Sequence, residues 1–299
     1  MHEHLRLLGE FRPLREPVLL AAFGGWNDFG GAATAALDHI SDEWEAQDLA
    51  EVDPQPFFDF TVQRPIARVE DDQRVIDWPR TLFQVASPKG ASRDFVLVSG
   101  PEPHMRWRTF TDIIAEVMQA VGATTSITIA TQPAAVPHTR PLPVTLSASD
   151  ASFEEQFGLR IPESRYEGPT GIVGVLNVLQ RQLGWKNASL WAQAPHYLTV
   201  GPNPSAMIAL VRAIDRGFHT ATSVAAIEEQ RERFANEVER AMEEAGDAAS
   251  YIRALEEQYD ANIPLLPAEG GQCASELPSS EELLSDLERF LRRQRDEPS

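Results

Sequence analysis

Apolar residues fall along this chain in short continuous runs that end in glycine or proline, and each run is followed by a stretch where they recur every three or four positions. Residues 18–23 are all apolar, run into Gly24-Gly25-Trp26-Asn27-Asp28-Phe29-Gly30-Gly31 and give way to an Ala-rich stretch ending near Ile40. This pattern predicts a buried strand, a glycine loop and a helix, with Asn27 or Asp28 as the helix cap. Residues 57–62 and 81–86 read as further strands, and the polar stretch 64–80 between them as a hairpin or excursion. Residues 95–100 repeat the apolar run ending in glycine. They lead into a predicted helix over 107–121, where Phe110, Ile113, Ile114, Val117 and Val121 share one face, and then a strand over 126–130.

Five prolines between Gln132 and Gly168 predict mostly loop, with a short strand near residues 144–146. A helix beginning near Thr170 carries Ile172, Val175, Leu176, Leu179 and Leu183, and Gly184 suits the position just past its end. A strand over 188–193 leads to Ala194-Pro195-His196-Tyr197, after which Asn203 and Pro204 announce another helix as cap and first residue. The alternation predicts an α/β protein, a three-layer α/β/α sandwich on a mostly parallel sheet. From Ser223 the pattern changes to long acidic helices, predicted as an α-helical hairpin broken at Gly246, and then a last helix opened by the capping box Ser279 to Glu282. The expected division is an α/β domain over 1–220 and an acidic helical region over 221–299.

The 299 residues carry a formal net charge of −19, which argues against a nucleic-acid backbone or an anionic membrane surface as partner. The segment from Ser223 holds 19 acidic and 8 basic residues, so the imbalance is concentrated in the helical region. No apolar run approaches the roughly 18 to 20 residues needed to span a bilayer, the first residues lack the form of a signal peptide, and the expected location is the cytoplasm. One cysteine, Cys273, excludes an internal disulfide and a thiolate zinc cluster. Scattered histidines predict no metal site, and no cofactor is expected.

Loops at the carboxyl ends of parallel strands are where α/β proteins place their sites. Three such loops hold chemistry-bearing residues: Gly24, Gly25, Trp26, Asn27 and Asp28; Glu102, His104 and Arg106; and His196 with Tyr197. Were their strands neighbours, the set could bind a small polar ligand or take acid/base roles. The structural alternative makes Glu102 and Arg106 a surface ion pair, Tyr197 a packing residue and His196 a strand-end cap. Gly171 and Gly174 bare one face near a helix start, for a close helix contact or for an anion on free N–H groups. The first loop is not G-x-G-x-x-G, no Gly-Lys-Ser/Thr occurs, Asp28 would repel a phosphate, and there is no nucleophile elbow. No catalytic residue is assigned.

Taken in order, Phe23-Gly24-Gly25-Trp26-Asn27-Asp28-Phe29-Gly30, Gly100-Pro101-Glu102-Pro103 with Trp107, Thr170-Gly171-Ile172 with Leu176, Ala194-Pro195-His196-Tyr197 and Pro202-Asn203-Pro204 resemble the PAC2 family, relatives of the proteasome assembly chaperone 2. The likeness covers about residues 17–216. It implies an α/β/α sandwich related to the purine nucleoside phosphorylases, with a helical C-terminal part. It further implies a non-enzymatic protein that binds other protein subunits, proteasome subunits among them, and a homo-oligomer, a trimer by analogy with phosphorylases. The alternative is a nucleoside-, nucleotide- or phosphate-binding protein, or an enzyme of phosphorylase or hydrolase type, acting through the Gly24, Glu102 and His196 loops.

Overall fold

A computed structural model describes residues 2–162, 166–244 and 248–261. The strands are β1 (Leu5–Leu7), β2 (Val18–Gly24), β3 (Gln47–Val52), β4 (Ile66–Glu70), β5 (Gln73–Asp77), β6 (Thr81–Ala86), β7 (Phe95–Pro101), β8 (Thr125–Ala134), β9 (Val144–Ala148) and β10 (Lys186–Pro195). The helices are α1 (Ala32–Glu43), α2 (Trp107–Val121), α3 (Ser152–Phe157), α4 (Ile172–Gln182), α5 (Pro204–Phe218), α6 (Ala225–Glu244) and α7 (Ala248–Ala261).

Eight strands form one sheet in the order β1-β3-β6-β7-β2-β8-β10-β9. The central strands β7, β2, β8 and β10 are parallel, and β3 runs in their direction; β6, β9 and β1 run against it. The physical reason for the parallel centre is visible in β2. Val18, Leu20 and Ala22 enter one core with α1 and α5, while Leu19, Ala21 and Phe23 enter the opposite core with α2 and α4. A strand buried on both faces must be apolar throughout, which the run at residues 18–23 satisfies. This is the expected α/β/α sandwich.

The loop 57–62 departs from the predicted strand. Phe57 N–H donates to Pro54 O (3.1 Å) and Val62 N–H to Asp59 O (3.0 Å), so the chain turns twice here. Asp59 directs the second turn by accepting from Thr61 N–H (2.8 Å), a local bond that competes with strand pairing. Phe57 and Phe58 are buried for a different reason: Phe57 packs edge-on to Phe110, with ring centres 5.4 Å apart. Two strands, β1 and β3, and the helix α3 were not predicted. Asp150 starts α3 by accepting from Ser152 N–H (2.9 Å), and Phe153 and Phe157 bury its inner face.

Residues 64–80 form a separate two-stranded ribbon, β4 with β5, outside the main sheet. Helices α6 and α7 make the expected hairpin. Val224 and Ile227, around the start of α6, join the core of the sandwich, while Val238, Ala241, Ile252 and Leu255 form a smaller cluster on Tyr197 and Leu198. The predicted break at Gly246, the helix over 279–291 and Cys273 lie outside the described residues.

Candidate functional site

Parallel β2 and β7 end side by side, with Gly24 opposite Pro101, and their ends and following loops line a groove of about 700 Å³ together with residues of α1, Gln63 and Arg80. Its lining includes Gly24, Gly25, Asp38, Ser99, Glu102 and Trp107. Glu102 is the pivot. Its backbone N–H donates to Gly24 O (2.8 Å), which ties the two loops together. Its side chain then reaches across to α4: Oε1 accepts from Ile172 N–H at 2.7 Å, and Oε2 from Trp26 N–H at 3.4 Å. The first turn of α4 has an unpaired donor and the positive end of its dipole here. The chain's own carboxylate therefore occupies the place where an anion would sit.

Gly171 precedes α4 with ordinary extended backbone, so its lack of a side chain serves space rather than a special φ. A Cβ there would lie 2.1 Å from Asn27 Oδ1 and 2.8 Å from Glu102 Oε1. Asn27, 7% exposed, holds Oδ1 buried with no hydrogen-bond partner among the described residues, while its backbone carbonyl accepts from Thr131 N–H (2.9 Å). Gly25 does need glycine for its backbone, at φ 108° and against the Glu102 side chain.

Asp28 is 5% exposed and saturated by its own chain. Its carboxylate accepts from Ala33 N–H (2.6 Å), Thr34 N–H (3.3 Å), Thr34 Oγ1 (2.6 Å) and Thr131 Oγ1 (3.2 Å). It caps α1 from beyond a short 3-10 turn (Phe29–Gly31), a longer reach than a cap directly before the helix. Trp26, two residues before it, is 69% exposed.

The structure brings Gly24, Gly25, Trp26, Asn27, Asp28, Glu102 and Gly171 into one neighbourhood. It parts Arg106 from them: the Arg106 guanidinium lies 3.3 Å from His4 Nε2 on the N-terminal side, and no Glu102–Arg106 ion pair forms among the described residues. His196 and Tyr197 follow β10, which β8 separates from β2. Both face the helical hairpin instead. His196 Nε2 lies 3.0 Å from the Tyr251 hydroxyl, and Tyr197 Oη accepts from His138 N–H at 2.9 Å.

Sequence reasoning missed Asp38 and Ser99, which meet in the groove at 3.1 Å. Desolvation pushes the Asp38 carboxyl above its usual range; the Ser99 hydrogen bond opposes this, and Asp42 and Asp28 add to the rise. The signal was the pairing of the glycine-ended strand, where Ser99 precedes Gly100, with α1, and only the fold connects them. Arg80, also at the groove, spends its charge on Asp48 (3.2 Å) and Glu51 (3.1 Å). His104 Nδ1 accepts from Asp59 N–H (3.0 Å) and so holds the turn at residues 57–62. Among the described residues no group of three or more His, Cys, Asp or Glu could hold a metal ion, and no helix is long and apolar enough to cross a membrane.

Similar proteins share this fold over most of the chain. The family model for the PAC2 family matches residues 22–242. A PAC2 family protein of Streptomyces avermitilis is 35% identical, with 79% of this chain aligned to 99% of that one at a TM-score of 0.72. A Mycobacterium tuberculosis proteasome-assembly chaperone homologue is 38% identical over 79% of this chain and 99% of its own, with a TM-score of 0.70. A second M. tuberculosis structure, of unknown function, is 24% identical, spans 98% of both chains at a TM-score of 0.78 and shares the fold. No curated protein matches the chain. With the match running from the glycine loop through the sheet and most of α6, the chain belongs to the PAC2 family.

Proposed function

We propose that this protein works by binding other protein chains, with proteasome subunits as its partners, and not by catalysing a reaction. The observation that carries the reading is its 38% identity to the M. tuberculosis proteasome-assembly chaperone homologue, along 99% of that chain. The site chemistry is consistent with it. Asp28 and Glu102, the carboxylates of the glycine-loop neighbourhood, are engaged by backbone and hydroxyl donors of their own chain, and α4 offers its first N–H to Glu102. In support of the reading, α6 exposes Glu228, Glu232 and Glu239 along one side of the helix. Such a face attracts a basic partner and speeds its encounter at low salt.

The test is to purify the tagged full chain from its own cells at natural copy number and identify what accompanies it by mass spectrometry. Proteasome α-subunits are expected, and reversing Glu228, Glu232 and Glu239 to lysine should remove them while leaving the fold intact by circular dichroism. Recovery of the protein with no proteasome subunit, under conditions that keep weak complexes together, overturns the reading. One observation favours a second reading: the groove of about 700 Å³ beside Gly24 and Glu102 has the size of a small-molecule site. Nucleosides, nucleotides and phosphate should then raise the melting temperature by mass action, and the absence of any shift removes that reading.

A further inference from the structure

We propose that α7 and the second half of α6 form a lid over the carboxyl ends of β8 and β10, one that undocks as a unit and uncovers His138, His196 and Tyr197. Loops at such strand ends are where α/β proteins place their sites. In the closed form α7 occupies this end. His196 Nδ1 lies 3.1 Å from Ala134 O and must donate to it, so Nε2 is left to accept from the Tyr251 hydroxyl at 3.0 Å. Tyr197, beside it, is 4% exposed beneath the hairpin.

Helix α6 is anchored at two separate places. Ile227, near its start, is buried in the core of the sandwich, while Val238 and Ala241 are buried in the smaller cluster with Ile252 and Leu255 of α7. Between the anchors residues 228–233 and 235–237 are all exposed, and Phe234 is half-buried against the smaller cluster. About 16 Å of helix runs between the two, and its sequence there is rich in Glu and Arg. Such a strut passes on little of the core's stability, because a short helix without a packed face is marginal in water.

The lid itself is held lightly. Its apolar seat on the sandwich is Tyr197 and Leu198, with Val200 half-buried at the margin. The other ties are polar: Arg140 to Glu256 (3.1 Å) and Asp260 (2.8 Å), and the Tyr259 hydroxyl to Pro141 O (2.8 Å). Water replaces such bonds when they open, so each adds little net stability. The sandwich does not depend on them. Val224 and Ile227 stay with its core when the lid leaves, and among the described residues neither core of the sandwich buries a residue of α7. Opening is therefore a separate event of lower free energy than unfolding.

Thiol labelling of the full chain in a C273S background is the test. Ala241→Cys and Leu198→Cys bury a thiol on either side of the lid contact, where the native residues are each 2% exposed, and Ala36→Cys buries one in the core of the sandwich. The first two should react within about threefold of each other and at least roughly a hundredfold faster than the third. Arg140→Ala removes the ties to Glu256 and Asp260 and should speed both by roughly three- to tenfold without changing Ala36→Cys. A second measurement needs no substitution: in hydrogen exchange on the wild-type chain, the 14 residues of α7 should exchange as one set ahead of α5, since an undocked helix of that length is marginal. Equal labelling at all three thiols, rates indifferent to Arg140→Ala, protection at Leu198→Cys while Ala241→Cys reacts, or α7 amides as slow as those of α5 overturns the proposal.

Discussion

At the scale of single residues, the glycine-loop neighbourhood is held by contacts that allow little substitution. Gly171→Ala would drive a methyl group into Asn27 Oδ1 and Glu102 Oε1. The expected result is a loss of about 1–3 kcal/mol in denaturant melts, the usual cost of overpacking. Glu102→Ala leaves the Ile172 N–H of α4 without its acceptor, with an expected loss of about 1 kcal/mol. Glu102→Gln retains a carbonyl oxygen at the same place and should lose less. If the two variants melt alike, the hydrogen bond to α4 contributes nothing and the reading of Glu102 as an internal cap fails. These roles were only partly legible in the sequence. The glycines at 24, 25 and 171 announced close backbone approach, but Glu102 reaches a helix start 70 positions away, and no local pattern carries that information.

At the scale of elements, local signals did best where a cap or an amphipathic period specifies the ends. The helix expected over 107–121 is α2, Trp107–Val121, and Asn203 caps α5 by accepting from Ser205 N–H (3.0 Å) and Ala206 N–H (3.2 Å). Asn203→Ala should therefore cost about 1 kcal/mol, read as a lower unfolding midpoint at unchanged slope. The ribbon has the opposite character, since its turn is strained. Asp71 and Asp72 both have positive φ, 48° and 62°, the requirement of a type I′ hairpin turn that glycine meets at its second position without strain. Asp72→Gly should stabilise the ribbon, seen as slower amide exchange in β4 and β5 with the rest of the protein unchanged. The turn at residues 57–62 reads as a strand because Phe57, against Phe110 of α2, and Phe58, against the His104 ring, are both buried, and a short apolar run does not separate a packed turn from a strand.

At the scale of the whole molecule, the helical hairpin is latched to the sandwich by a polar set at the ends of β8 and β10. The Tyr197 hydroxyl lies 2.9 Å from His138 Nδ1, and Arg140 pairs with Glu256 (3.1 Å) and Asp260 (2.8 Å) of α7. Tyr259 adds a bond from its hydroxyl to Pro141 O (2.8 Å). Burial holds the His138 pKa below its usual value, and the charge of Glu256 only partly offsets this. A histidine kept neutral in the fold contributes stability that is complete above its unfolded pKa of about 6.5. That contribution is lost as pH falls from there through the folded value, because the unfolded chain takes the proton first. Thermal melts should show stability declining below about pH 6.5, with a shallower decline in His138→Gln. An unchanged slope in that variant assigns the acid sensitivity elsewhere.

The sequence by itself determined the α/β/α class, the helix ends with strong caps and the family, because apolar period, cap chemistry and ordered motifs are all encoded within short windows. Tertiary structure alone decided which loops meet. Strand order placed Gly24 and Glu102 together because β2 and β7 are neighbours, and it sent His196 and Tyr197 to the helical hairpin because β8 lies between. It also turned Arg106 toward His4 and gave the anion position of α4 to Glu102. Those outcomes depend on crossovers and long-range packing, whose partners lie far apart along the chain and leave no mark in the pattern around either one.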